Sequence, residues 1–153
     1  MMNVRGLYFE DFTPGRTYTT DRRTIGEADH VNFTTSFGFF EPLFMDREYV
    51  AQATPYGKPI VPGALTFSVA EGLTILSGIL HGTGIALLGV ELEVVKPVFI
   101  GDTVRVAIEV LARRETKKSN RGIVTFSHQV INQNNETVMR YTVKRMMKRK
   151  NGD

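Results

Sequence analysis

Hydrophobic and polar residues alternate strictly along the second half of the chain. Valine and isoleucine at 104–110 are separated by polar or smaller residues, which is typical of a strand with one buried face. A similar alternation appears at 124–130 and 139–143, and residues 87–95 form a further apolar segment. Asn134-Asn135 fits a tight hairpin turn before the last segment. The pattern predicts four long antiparallel strands.

The first half of the chain has helical signals. Thr24 and Glu27 have the spacing of a capping box, which predicts a helix over residues 25–36. Asp46 is a suitable N-cap for a second, short helix through Ala53. We therefore expect two helices before the long apolar segment that follows.

That long segment, residues 63–80, predicts the central element of the fold. A helix that is apolar on most sides belongs inside the protein. It is shorter than about 20 residues and carries Glu71, so we expect no membrane span. Helices followed by four strands predict an α+β class, with one domain over residues 1–153 and an antiparallel sheet wrapped around the long central helix.

Composition narrows the function classes. The chain has 153 residues, of which 42% are hydrophobic and 23% charged, so disorder is excluded. It has no cysteine, which excludes disulfides, thiolate metal sites and cysteine nucleophiles. Its three histidines are scattered, so we predict no metal and no cofactor. The start has no apolar segment of signal-peptide length, and the expected location is the cytoplasm.

The net charge of +3 is unevenly distributed. Residues 113–121 hold five basic residues and one acidic one, and residues 144–150 hold five basic residues and no acidic one. These segments are either solvated surface or a place that attracts the phosphates of a nucleotide or pantetheine tail. Aromatic residues do not interleave with the basic ones, so we expect no nucleic-acid partner.

Four stretches from Tyr8 onward carry a family resemblance. Their sequences are YFEDFTPG, RTIGEADHVNF, EPLFMD and TPYGKPIVPGALT. In this order they resemble the MaoC-like dehydratases and (R)-specific enoyl-CoA hydratases of the hotdog fold. The resemblance implies a hotdog fold and an acyl-thioester partner, carried by CoA or by an acyl carrier protein. It also implies a homodimer, which would cover the unpaired edge of the sheet.

The resemblance implies a changed catalytic pair. Alignment on Pro42 and Asp46 puts Phe39 where the family has its catalytic aspartate, and Phe44 where it has its catalytic histidine. Hydration of an enoyl thioester needs a base for water and an acid for the α-carbon, and phenylalanine is neither. We expect these phenylalanines to narrow or fill the acyl tunnel.

The resemblance also implies a substrate-binding helix terminus. In the family, a backbone amide at the start of the central helix polarises the thioester carbonyl, and Gly63 and Ala64 stand at that place. The other interpretation is that Gly63 only permits a tight entry after Pro62. Tyr56 either lines the mouth of the pocket or has only a packing role.

Two carboxylates are candidate catalytic residues. Glu71 lies eight residues after Gly63, a spacing similar to that of hotdog thioesterases, in which the acid attacks the thioester or activates water. It would otherwise be a partly buried acid paired with lysine or arginine. Glu41, which replaces the motif asparagine, is either a base among aromatic side chains or a helix cap facing solvent. His128 is expected to be a core histidine.

Three functions remain open. The first is an acyl-thioester dehydratase or hydratase-type protein with a non-standard active site. The second is a hotdog acyl-CoA thioesterase that uses Glu71. The third is an acyl-CoA-binding module without catalysis. Fold alone does not separate them, because one fold hosts several activities.

Overall fold

Four long strands form most of the sheet in the structure, a computed structural model that describes residues 5–151. In chain order the six strands are β1 (Thr17–Thr19), β2 (Arg23–Thr24), β3 (Gly84–Val94), β4 (Thr103–Glu115), β5 (Arg121–Ile131) and β6 (Thr137–Lys148). All pairings are antiparallel, in the order β1-β4-β5-β6-β3, and β2 pairs with β4. The four long strands predicted from the alternation are confirmed.

The helices precede the long strands. They are α1 (Glu27–Phe37), α2 (Pro42–Met45), α3 (Arg47–Ala53) and α4 (Gly63–Leu76). Asp46 caps α3 as predicted, since its carboxylate accepts a hydrogen bond from the Tyr49 amide at 2.9 Å.

The predicted capping box of the first helix is wrong. Gly26 is the N-cap of α1, and its amide donates to Asp29 at 2.8 Å. The hydroxyl of Thr24 instead hydrogen-bonds that of Thr103 at 2.7 Å, because β2 pairs with β4 at this point.

The central helix α4 is shorter and less enclosed than predicted. It ends at Leu76 instead of residue 80, and Gly78 follows with a φ of 85°, a left-handed conformation that stops a helix. Ile75 and Leu76 are 66% and 70% exposed. The sheet packs against the buried side of α4, so the predicted antiparallel sheet around a central helix is confirmed, while these two side chains are left exposed.

The buried side of α4 and the inward faces of the long strands form one hydrophobic core. Its members include Leu65, Val69 and Leu73 from α4, Val104, Val106, Ile108 and Val110 from β4, Val124, Phe126 and Val130 from β5, and Met139, Val143 and Met147 from β6. β4, β5 and β6 contribute alternate residues to this core, as half-buried strands must, whereas every residue of β3 is exposed. The fold is a single α+β domain, and the predicted boundaries at residues 1 and 153 lie outside the described residues.

The N-terminal segment packs across one end of the sheet. Its short 3₁₀ helix, Phe9–Asp11, places the ring of Phe9 on Gly122, where a Cβ atom would lie 2.4 Å from the ring. Arg149 donates to Glu10 at 2.9 Å, and Lys150 contacts Asp11 at 2.6 Å. Residues 10–11 and 149–150 therefore lie side by side.

None of the helices among the described residues is both long enough and apolar enough to cross a membrane.

Candidate functional site

A cavity of about 320 Å³ lies at the amino end of α4. Phe44, Tyr56, Gly63 and Thr66 line it, and Lys96 together with apolar residues from the end of β3, the turn that follows and β6 completes its walls. The structure therefore brings three of the predicted site residues, Phe44, Tyr56 and Gly63, to one place.

The start of α4 offers free amide groups to this cavity. The amides of Leu65 and Thr66 donate to the carbonyl of Pro62, at 2.9 and 3.1 Å. The amides of Gly63 and Ala64 precede them and have no intrahelical acceptor. Gly63 lines the cavity, whereas the Ala64 side chain is exposed and does not. This terminus suits a carbonyl oxygen, because amide donors and the helix dipole both favour negative charge there.

Aromatic side chains form the wall beside the helix terminus. The rings of Phe39 and Phe44 have centroids 6.1 Å apart, and Phe39 lies 5.1 Å from Phe33. The Nε2 atom of His30 is 2.9 Å from the carbonyl oxygen of Phe44 and holds the backbone there. Phe44 lines the cavity and Phe39 stands behind it, so the surface at this wall is hydrocarbon.

Glu41 lies outside the cavity. It is the N-cap residue of α2, and its carbonyl accepts from the amides of Phe44 and Met45 at 2.9 and 3.0 Å. Its side chain is exposed. No group of three or more His, Asp or Glu side chains within residues 5–151 is arranged to hold a metal ion.

Glu71 belongs to a buried polar cluster between α4 and the sheet, and it does not line the cavity. Its Oε2 atom accepts from Nη2 of Arg145 at 2.7 Å and from the hydroxyl of Tyr141 at 2.9 Å. Nδ1 of His128 lies 2.9 Å from the same hydroxyl. The Tyr141 hydroxyl donates its hydrogen bond to Glu71, so its oxygen accepts one from His128. Nδ1 of His128 therefore carries the proton of the neutral ring.

The surroundings of this polar cluster keep two of its members neutral. Burial lowers the pKa of His128 to about 3, and the positive charge of Arg145 acts in the same direction. Burial and then the negative charge of Glu71 raise the pKa of Tyr141 above its usual range. His128 is fully buried, as expected of a core histidine. The cluster thus contains one ion pair and two neutral hydrogen-bonding groups.

Three members of the two sites were not identified from the sequence. Tyr141 and Arg145 lie at inward-facing positions of β6, and an arginine in that alternation was the available signal for a buried ion pair. Thr66 had no such signal, because a single threonine in an apolar helix does not stand out.

Comparison with known proteins identifies relatives. A family model described as MaoC like domain matches residues 10–132. The chain is 36% identical over 115 residues to Protein MaoC of Klebsiella aerogenes, which covers 74% of this chain and 33% of that protein. It is 38% identical over 95 residues to the (R)-specific enoyl-CoA hydratase of Aeromonas caviae, which covers 62% of this chain and 69% of that one.

Solved structures agree with these relatives. The MaoC-like dehydratase from Rhodospirillum rubrum matches with a TM-score of 0.85 and 30% identity, over 95% of this chain and 99% of that chain. A Mycobacterium tuberculosis protein with a double hotdog fold matches with a TM-score of 0.84 and 20% identity, over 95% of this chain and 45% of that chain. At that identity the second match shows the fold alone.

The antiparallel sheet around α4 is therefore a hotdog fold. The chain belongs to the MaoC-like dehydratase family and is homologous to the (R)-specific enoyl-CoA hydratase. The resemblance found in the sequence is confirmed at this level. The chain spans about a third of the length of the Klebsiella aerogenes relative.

Proposed function

We propose that this chain binds an acyl thioester of CoA or of an acyl carrier protein, with the acyl group in the cavity at the amino end of α4. The observation that carries the proposal is the cavity itself, which is lined by Gly63, whose amide has no intrahelical acceptor, and by side chains that include Phe44. An apolar acyl chain fits such a wall, and its carbonyl oxygen fits the helix terminus. Tyr56 stands at the mouth.

We propose further that the site is non-standard and hydrates simple 2-enoyl thioesters poorly. The resemblance around Pro42 and Asp46 implies that Phe39 and Phe44 stand at the positions of the family's acid–base pair, and neither ring transfers a proton. Each general acid or base contributes about 10²–10⁴-fold to a rate. Binding is then the main activity of this site toward such substrates.

Titration with crotonyl-CoA and a hydration assay test the proposal together. Calorimetry should give saturable binding, while the ultraviolet absorbance of the enoyl thioester should disappear at least about 10²-fold more slowly than with the Aeromonas caviae enzyme. Gly63→Val, which places a branched side chain at the cavity next to Val94, should weaken binding. Absence of binding contradicts the acyl-thioester assignment, and hydration at the rate of the relative contradicts the non-standard site.

Restoring the acid–base pair is a second test. The double variant Phe39→Asp/Phe44→His should gain hydration activity, because both proton-transfer groups then stand at the family positions. The matched control is Phe40→Asp/Phe44→His, in which the carboxylate is displaced by one residue and should give no gain. Equal activity in the two double variants would show that the alignment of this loop is wrong.

The thioesterase alternative depends on Glu71, and Glu41 is the other predicted acid. The contacts of Glu71 favour a structural role, since Arg145 and Tyr141 already occupy its Oε2 atom. Catalysis by either acid stays a prediction. Release of free thiol from acyl-CoA, lost in Glu71→Gln or Glu41→Gln while the variant stays folded, would support it.

We propose that the chain is a homodimer that pairs along β3, in the cytoplasm. β3 has a partner strand on one side only, and its larger apolar side chains are 36–56% exposed. A long apolar edge of this kind pairs readily with another strand. Leu87→Lys on β3 should shift the mass in solution from dimer to monomer, whereas Leu111→Lys on β4, an exposed leucine away from that edge, should not. Monomeric wild-type protein contradicts this assignment.

A further inference from the structure

The aromatic wall of the cavity is carried by a single turn of helix. α2 spans only Pro42–Met45, and none of its residues is fully buried. One helical turn is unstable on its own, because forming it fixes several backbone angles in return for very few hydrogen bonds. Phe44, the α2 residue whose ring lines the cavity, therefore keeps its place through contacts with the rest of the protein.

Two polar contacts among the described residues join α2 and α3 to α1. One is the ion pair of Arg47 with Glu27, whose side chains are both mostly exposed, and such a surface pair contributes little. The other is the 2.9 Å hydrogen bond between Nε2 of the buried His30 and the carbonyl oxygen of Phe44. A carbonyl oxygen only accepts, so Nε2 carries the proton and donates. His30 is therefore the stronger of the two links.

Histidine is an unfavourable choice at position 30 if packing is its only task. Its Nδ1 atom is buried and has no hydrogen-bond partner among the described residues. Leucine or phenylalanine would fill the same space without burying an unpaired nitrogen. The nitrogen of His30 that does have a partner is the one bonded to Phe44, and the two rings also meet edge to face with centroids 6.5 Å apart. The contacts with Phe44 thus account for a histidine at this place.

We propose that His30 is a positioning residue, which fixes the ring of Phe44 so that the cavity wall is already formed when an acyl group arrives. This inference rests on the proposed acyl-thioester function. The carbonyl that His30 holds and the ring that lines the cavity belong to the same residue, so a displaced carbonyl moves the ring with it. Without this hydrogen bond α2 would occupy several positions, and affinity would fall with the fraction of molecules in the binding position.

Paired titrations separate the acyl group from its carrier. CoA and butyryl-CoA are titrated by calorimetry into the full chain, and the ratio of their dissociation constants measures what the acyl group contributes. The wild type should bind butyryl-CoA more tightly than CoA. His30→Phe keeps an aromatic ring and removes the donor, and it should lower this ratio about threefold to tenfold, the size of one net hydrogen bond. Its affinity for CoA should not change, because free CoA has no acyl group to place against Phe44.

Two amide variants are matched controls for the hydrogen bond. In His30→Gln the side-chain nitrogen has about the reach of Nε2 and still donates, so the ratio should stay at the wild-type value. His30→Asn is one methylene shorter, does not reach the carbonyl and should behave like His30→Phe. Glu27→Gln breaks the exposed link to Arg47 and should leave the ratio unchanged. The glutamine and asparagine variants carry the test by themselves if His30→Phe does not fold.

The outcomes separate this inference from the proposed function. A purely structural role of His30 would lower the Tm of the variants without changing the ratio, and in that case the acyl-thioester function stands and this inference is wrong. The inference is also wrong if His30→Gln lowers the ratio as much as His30→Asn does. If the wild type binds neither ligand, or binds both equally, the proposed function fails and this inference fails with it. A lower ratio in His30→Phe and His30→Asn, with the wild-type ratio in His30→Gln and Glu27→Gln, establishes the positioning role.

Discussion

Removing the charge of Glu71 should reveal what this carboxylate does. In Glu71→Gln the shape is kept, but Arg145 loses its ionic partner in a setting where the two side chains are only 17% and 9% exposed. Removing one partner of a buried ion pair costs about 3–5 kcal/mol. The amide oxygen still accepts one hydrogen bond, so we expect the lower end, about 3 kcal/mol of unfolding free energy.

A double-mutant cycle with Arg145→Met isolates the pair. Each single variant should lose about 3 kcal/mol, and the double variant should lose less than the sum by about 2 kcal/mol, because the second change removes a charge already left unpaired. For a domain of this size, 3 kcal/mol corresponds to a fall in Tm of roughly 6–12 °C. Urea unfolding at fixed protein concentration, followed by circular dichroism, measures these differences.

An exposed ion pair provides the control. Glu27 and Arg47 lie 2.5 Å apart on the surface, and Glu27→Gln should change stability by less than about 1 kcal/mol. The pair does not stabilise the fold if Glu71→Gln is as stable as the wild type. The same conclusion follows if the stability losses of the two single variants add up to that of the double variant. Unchanged stability together with lost thioester turnover would make Glu71 the catalytic residue that its spacing from Gly63 predicted.

Three further variants test other contacts. The folded-state pKa of His128, about 3, lies below the ordinary 6.5, so the unfolded chain binds an extra proton between these values. Stability should therefore fall by about 1.4 kcal/mol per pH unit as the pH decreases through that window, and urea titrations of His128→Gln should lack this slope. Gly122→Ala should lose about 1–3 kcal/mol in thermal melts, since its methyl group meets the Phe9 ring, and full stability would contradict that packing. Asp46→Ala should lose about 1 kcal/mol through the cap of α3, and Asp46→Asn should recover most of it.

Local patterns predicted most of the fold, and they failed where distant contacts decide. The alternation over 104–110 identifies β4, because one face of that strand is buried along its length. The pair Thr24 and Glu27 has the right spacing for a capping box, yet the Thr24 hydroxyl hydrogen-bonds Thr103, 79 residues away. The exposed face of α4 was missed because an apolar sequence does not say which of its sides another element covers.

The candidate site was predictable to the extent that its residues are close in sequence. Tyr56 lies in the loop before α4 and Gly63 is the first residue of that helix. Because the two residues are close in sequence, one short loop brings both to the same cavity. The partner of Glu71 comes from a strand 74 residues later, and no spacing rule could name it.

The pairing of Glu10 and Asp11 with Arg149 and Lys150 has a consequence for how this domain is combined with others. Because residues 10–11 and 149–150 lie side by side, the first and last parts of the described chain are held together at one end of the sheet. A unit of this shape can be placed in tandem, or inserted into a loop of a host protein, without stretching the sheet. The match to a third of the Klebsiella aerogenes protein fits such modular use. Circular permutants that keep Phe9 and join the two ends through a linker should retain the fold.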